Sequence, residues 1–237
     1  MAIARSAVKD WTSYCEVGCL PWTIEEVLSL LRNEYDVQSW WPSSSAFEVA
    51  LGAILTQQTR WENVLLCLDS LRDHGLLDVE RLAAADTSLL EELIRPCGFF
   101  RQKAHRIQYL CRHILDVHGG ETAGMLQGGL DECRRELMSL PGIGPETADS
   151  ILLYGGGRPV FVAASYCLRV LNRTGACSFQ DYEEVRENVE QELGPDPLAL
   201  GDLYALLVEL AKEHCRKQPI CKGCPLETRC SFKVGRT

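Results

Sequence analysis

Apolar residues recur at helical spacing almost throughout this chain, and no two consecutive runs alternate with period two as paired strands would. That pattern leaves an all-α fold. Thr23 followed by Glu26 is a capping box that opens a helix through about Tyr35, with Ile24, Val27, Leu28 and Leu31 on one face. Further helices are predicted near 47–57, 61–74, 88–95, 101–118, 130–140, 145–154, 163–172, 182–193 and 198–213, each bounded by Gly, Pro or a cap. The helix from Phe47 is apolar nearly all round and belongs at the centre. With 237 residues, one large domain or two smaller helical domains sharing a groove can bury a core.

The opening MAIARSAVKDW has no apolar run of the kind an export signal needs, and no stretch reaches the roughly 20 apolar residues of a membrane span. A soluble intracellular protein is expected. The net charge of −9 argues mildly against nucleic acid, because phosphate binding is driven by Lys and Arg. Distribution matters more. From Lys212 onward, seven basic residues (Lys212, Arg216, Lys217, Lys222, Arg229, Lys233 and Arg236) face only Glu213 and Glu227.

Of the 12 cysteines, eight stand singly, and Cys67, Cys111 and Cys167 among them read as small buried hydrophobes. The other four, Cys215, Cys221, Cys224 and Cys230, crowd into sixteen residues with gaps of five, two and five. Four thiolates suffice for a 4Fe-4S cluster or for tetrahedral zinc. Zinc ribbons usually pair two C-x2-C knuckles, and here only Cys221 and Cys224 form one, which favours iron.

Leu140-Pro141-Gly142-Ile143-Gly144-Pro145-Glu146-Thr147-Ala148 places two glycines between an amphipathic helix and a second helix starting at Pro145. Glycines permit positive φ and close approach of another backbone, and a helix start presents unpaired N–H groups. Such a device binds phosphate without touching a base; an ordinary turn between two helices would read the same way locally.

This stretch resembles the helix-hairpin-helix of the endonuclease III superfamily of DNA glycosylases, here spanning about 137–154. Similar landmarks run from Phe47 to Cys230. Trp40-Trp41-Pro42, Phe47-Glu48-Val49, Leu55-Thr56-Gln57-Gln58-Thr59 and Glu146-Thr147-Ala148-Asp149-Ser150 bring it nearest to the endonuclease III-related, alkylpurine (3-methyladenine) branch. The resemblance implies two helical subdomains flanking a DNA-binding cleft. One is discontinuous, 1–40 with 155–237, and carries the cluster loop 215–230; the other is 41–154. It also implies a 4Fe-4S cluster on the four cysteines, although the first gap is one residue shorter than usual for the family. The basic residues threaded through that loop would then face DNA phosphates.

Carried over residue by residue, the resemblance makes Trp40 and Trp41 the base-pocket aromatics, where a cationic methylated ring would gain about 0.5–2 kcal/mol from cation–π attraction. Adjacent tryptophans beside a proline could instead seal a helix end. Gln57 corresponds to the glutamine that fills the gap left by a flipped nucleotide, and Gln58 replaces the branch's usual asparagine. Leu140, Gly142, Ile143, Gly144 and Thr147 would meet phosphate. The family aspartate, which stabilises charge on the sugar or activates water, falls on Ala164, and the lysine nucleophile of bifunctional members falls on Glu146. Asp149 and Glu146 are the nearest substitute acids.

The expectation is therefore a monofunctional glycosylase for damaged bases, alkylated purines first, acting as a monomer on double-stranded DNA in the cytoplasm or at the nucleoid, without lyase activity. Ala164 is read as an inactivating replacement for Asp. The contrasting readings are a glycosylase for uracil, mismatched thymine or oxidised pyrimidines using another acid, a non-catalytic damage or structure binder, and an iron-sulfur redox regulator.

Overall fold

The computed structural model describes residues 22–38 and 40–234. The MAIARSAVKDW segment and Arg236 lie outside them. All regular elements among the described residues are helical, and none of these helices is long and apolar enough to cross a membrane.

Helix α1 (Ile24–Glu34) carries the expected box: Thr23 Oγ1 accepts from the Glu26 N–H at 3.1 Å, and a Glu26 carboxylate oxygen accepts from the Thr23 N–H at 3.0 Å. Helix α2 (Ala46–Leu55) is buried from Phe47 to Leu55. Its one charged residue, Glu48, is held by Ser44 and by Arg72 at 2.9 Å, as burial of a charge requires. Lys103, only 1% exposed, donates to the carbonyls of Leu55 at 2.8 Å and Cys97 at 2.7 Å, placing a cation at the electronegative end of α2.

The chain continues through α3 (Trp61–Asp73), α4 (Val79–Ala84), α5 (Thr87–Leu93), α6 (Phe100–His118), α7 (Thr122–Leu126), α8 (Leu130–Ser139) and α9 (Pro145–Ser150), which runs into a π-turn over Ile151–Gly155. After an irregular buried segment come α10 (Ser165–Thr174), α11 (Tyr182–Leu193), α12 (Pro197–Glu213) and α13 (Ser231–Val234). Helices α4, α7 and α13 were not predicted, because one or two turns are too short for a periodic signal. The helix expected from Ala163 starts at Ser165, because residues 160–164 are held in non-helical form in the core.

Helix α1 packs on α11 and α12, not on its chain neighbour α2, while α10 packs on α12 and α13. Helix α2 packs on α3, α6, α9 and the π-turn, and the π-turn in turn touches α12. A single buried apolar cluster runs through both groups.

Candidate nucleic-acid interface and base pocket

The hairpin is pegged from inside. Leu140 and Ile143 are each 5% exposed, so their side chains anchor the loop and only backbone is left to meet a ligand. The Ile143 N–H donates to the Leu140 carbonyl at 3.2 Å, which withdraws it from the free donors. The N–H groups of Gly144, Glu146 and Thr147 have no acceptor among the described residues, and they cluster at the positive end of α9. The two glycines do different work. Gly142 has φ of 76°, and a Cβ there would lie 2.1 Å from Arg106 Nε. At Gly144 a Cβ would meet no protein atom within 4 Å, so its outer face is open.

Gln57 is tied to this loop. Its Nε2 donates to the Gly142 carbonyl at 2.9 Å and to Thr147 Oγ1 at 3.1 Å, and its Oε1 accepts from Arg106 at 2.6 Å. Gln58 is exposed, has φ of 56°, and makes no recorded side-chain contact among the described residues. Backbone strain of that kind in a non-glycine residue needs support from the surrounding chain.

The two tryptophans part company. Trp40 lies under the Lys212 ammonium, 4.8 Å from its ring centre. Trp41 stacks on Tyr154 at 5.2 Å, meets Trp61 edge-on at 5.3 Å, and covers Gly52, where a Cβ would come within 3.4 Å of the indole. Tyr154 donates to the Gly201 carbonyl at 3.1 Å and lies 6.1 Å from the Tyr204 ring. Burial pushes both phenols up, and Tyr204 is raised further by the Glu146 carboxylate. Glu146 is reached by solvent, yet protein crowds its sides enough to raise its carboxyl above the ordinary value. Its charge is also felt by Tyr182 and by Cys167, in the first turn of α10. The Glu146 charge is therefore felt at Tyr204, the far member of the Trp41–Tyr154–Tyr204 row of rings. Sequence reasoning missed Tyr154 and Tyr204, whose only signal is a tyrosine on a helix face otherwise made of aliphatic residues.

Ala164 caps the start of α10 without a side-chain hydrogen bond and is 1% exposed. Asp149 is fully buried and turned away from solvent. It takes a two-pronged pair from Arg134, at 2.7 and 3.1 Å, and the Tyr182 hydroxyl at 2.9 Å. Burial raises this carboxyl above the ordinary value, against the opposing pull of the Arg134 guanidinium and the Tyr182 hydroxyl. Arg134 also holds Glu183 at 2.6 Å. Of the two candidate substitute acids, only Glu146 is exposed.

Helix α10 leads from Ala164 to the cysteine loop. At its far end Arg169 donates to the Cys215 carbonyl at 2.8 Å, and Arg173 donates to the carbonyls of Arg216 and Lys217 at 2.6 and 3.1 Å. Arg229 is not free for phosphate: it lies 3.7 Å over the Trp22 ring and pairs with Glu26 at 2.8 Å. Lys217 and Lys222 are exposed. Burial pushes up both Cys224, to about 11, and Cys230, and the neighbouring thiols add to it, the other three at Cys224 and those of Cys215 and Cys221 at Cys230, so as free thiols they would stay protonated at neutral pH. A metal centre relieves that repulsion by taking thiolates. Four thiols on one loop are a sufficient donor set for a 4Fe-4S cluster or for a tetrahedral zinc ion.

The fold and hairpin define a helical DNA-repair protein of the helix-hairpin-helix class. The chain belongs to the HhH-GPD superfamily of base excision DNA repair proteins, whose model matches residues 51–195, and it is a DNA repair glycosylase of that superfamily. A provisionally named DNA repair glycosylase of Methanocaldococcus jannaschii is 38% identical over 213 residues, covering 89% of this chain and 96% of the relative. The structure of Helicobacter pylori 3-methyladenine DNA glycosylase bound to 1,N6-ethenoadenine is 28% identical, with TM-score 0.72 over 81% of this chain and 98% of that one. A non-covalent endonuclease III–DNA complex gives 25% identity and TM-score 0.72, over 91% and 98%.

Proposed function

We propose that the protein excises alkylated purines from double-stranded DNA as a monomeric, monofunctional glycosylase, with Glu146 supplying the carboxylate that the family expects at position 164. The observation that carries this reading is an exposed Glu146 carboxyl in the first turn of the second hairpin helix, beside the Gly144 and Thr147 N–H groups that lack an acceptor among the described residues, whose charge reaches Tyr204 in the Trp41–Tyr154–Tyr204 row of rings. A flipped base needs a π-surface to stack on, and an electron-poor methylated ring gains most from one.

In the reaction the C1′–N bond breaks with its electron pair leaving on the base, and water adds its oxygen to C1′. Ionised Glu146 faces the positive charge that builds on the sugar, or takes the proton of the attacking water. The hairpin N–H groups hold the backbone, Gln57 braces the hairpin, and Gln58 is poised to enter the vacated space. No lysine stands at 146 to form a Schiff base, so strand cleavage is not expected. Ala164 supplies no carboxylate of its own, and turnover is expected to be slow. Cys215, Cys221, Cys224 and Cys230 would hold a 4Fe-4S cluster, which when bound serves as a rigid cross-link for the loop docked on α10.

The test is base release from methylated duplex DNA by this chain, by Glu146→Gln and by Ala164→Asp. Release cut on the order of 100-fold in the first variant and raised in the second supports the proposal. Tight binding with no release by any of the three favours a non-catalytic damage binder, the reading that Ala164 itself supports.

A further inference from the structure

Away from the cleft, the C-terminal end of α6 meets the first hairpin helix, α8, through three side chains. His113 and His118 of α6 direct Nε2 at the same carboxylate oxygen of Glu136 on α8, at 2.7 and 2.5 Å. The three donor atoms lie within 4.8 Å of one another, and the side chains are 20%, 15% and 28% exposed. Helix α7 packs on both α6 and α8, which otherwise make little contact with each other. This bridge joins the two helices directly through side chains.

We propose that His113, His118 and Glu136 form a binding site for a late first-row divalent ion of the zinc type, and that its occupancy fastens the first hairpin helix to α6. Two imidazole nitrogens and one carboxylate oxygen are a sufficient protein donor set for zinc, with the remaining position left to water. The partial exposure of all three side chains provides that open direction. Around a tetrahedral ion with bonds of about 2.1 Å the donors stand about 3.4 Å apart. The two nitrogen–oxygen gaps therefore need to open by less than about 1 Å, within the reach of partly exposed side chains.

A purely hydrogen-bonded cluster needs no such convergence. Two imidazoles sharing a carboxylate would be expected to spread over both oxygens, whereas here both aim at one and the second has no partner among the described residues. Binding to neutral imidazoles is balanced without net proton release, since the Nε2 proton moves to Nδ1 in each ring. The site is separate from the four cysteines, which lie on the loop under α10.

The test uses the purified full chain, with iron measured before and after zinc titration by calorimetry, so that exchange at the cysteines is recognised. One zinc should bind per chain with iron unchanged. The double variant His113→Gln with His118→Gln should lose at least about tenfold in zinc affinity. Glu136→Gln still accepts both histidine hydrogen bonds and so keeps the fold if the double variant does not; it too should lose zinc affinity. Zinc should raise the melting temperature of the wild type, and EDTA should bring it to the level of the variants. Zinc bound equally by all forms, or by the wild type only more weakly than about 1 mM, overturns the site.

Discussion

Gln57 fixes the hairpin from a distance of 85 residues in sequence: its amide donates to the Gly142 carbonyl at 2.9 Å. The same amide group reaches Thr147, and Arg106 closes the arrangement from the other side. The Gln57→Ala variant removes three side-chain hydrogen bonds worth about 1 kcal/mol each at a partly exposed site, so it should lose up to about 3 kcal/mol and unfold several degrees lower while still folding. DNA affinity should fall about tenfold, because the freed loop must be ordered again on binding. Fluorescence anisotropy with an undamaged duplex reads this directly, and unchanged affinity would contradict the bracing role.

The two hairpin glycines should separate folding from binding. In Gly142→Ala the new methyl meets the middle of the Arg106 side chain and forces a residue with Cβ into φ of 76°. A loss of about 1–3 kcal/mol is expected in chemical denaturation. Gly144→Ala meets nothing and has φ of −95°, so it should fold normally yet bind DNA less tightly, because its methyl stands where a phosphate approaches. Equal DNA affinity in Gly144→Ala and wild type would remove the open face of Gly144 from the interface.

Asp149 was a candidate acid by position alone, and its surroundings argue a structural role. Asp149→Asn leaves Arg134 without its two-pronged partner in the interior and should cost about 3 kcal/mol, with Glu183 retaining part of the pairing. Base release per folded molecule should stay within a few-fold of wild type. A loss of release with stability intact would return Asp149 to the chemistry.

These contrasts mark what could be read from the sequence. The Thr23–Glu26 box, the all-helical class and the tight turn at Gly142 were legible because each is written within a few adjacent residues. The apolar face of α1 was legible for the same reason. Trp41 with Tyr154 was not, because the partner lies more than a hundred residues away and the π-turn at 151–155 decides where its ring faces. The fate of Asp149 depended on Arg134 and Tyr182, on two other helices. Arg229 looked like a phosphate ligand until its contacts with Trp22 and Glu26 appeared. Charge and spacing indicate what a side chain can do, and long-range packing selects among those uses.

The last prediction concerns the pH dependence of Glu146. Burial raises its carboxyl above the ordinary value of 4.5, with no compensating cation beside it. If the ionised form faces the developing sugar charge, activity is present above the raised pKa and is lost as pH falls through it. The acid limb of single-turnover base release should therefore lie above pH 4.5. In Glu146→Gln that limb should vanish along with most of the rate, a loss on the order of 100-fold for one aligned electrostatic group. Ala164→Asp introduces a second carboxylate near the first turn of α10, whose Cys167 already feels the Glu146 charge. Two like charges oppose each other's ionisation, so the acid limb of this variant should move to still higher pH even as its rate at neutral pH increases. A limb that stays in place in Glu146→Gln would assign the titration to another group and leave Glu146 as a wall of the cleft.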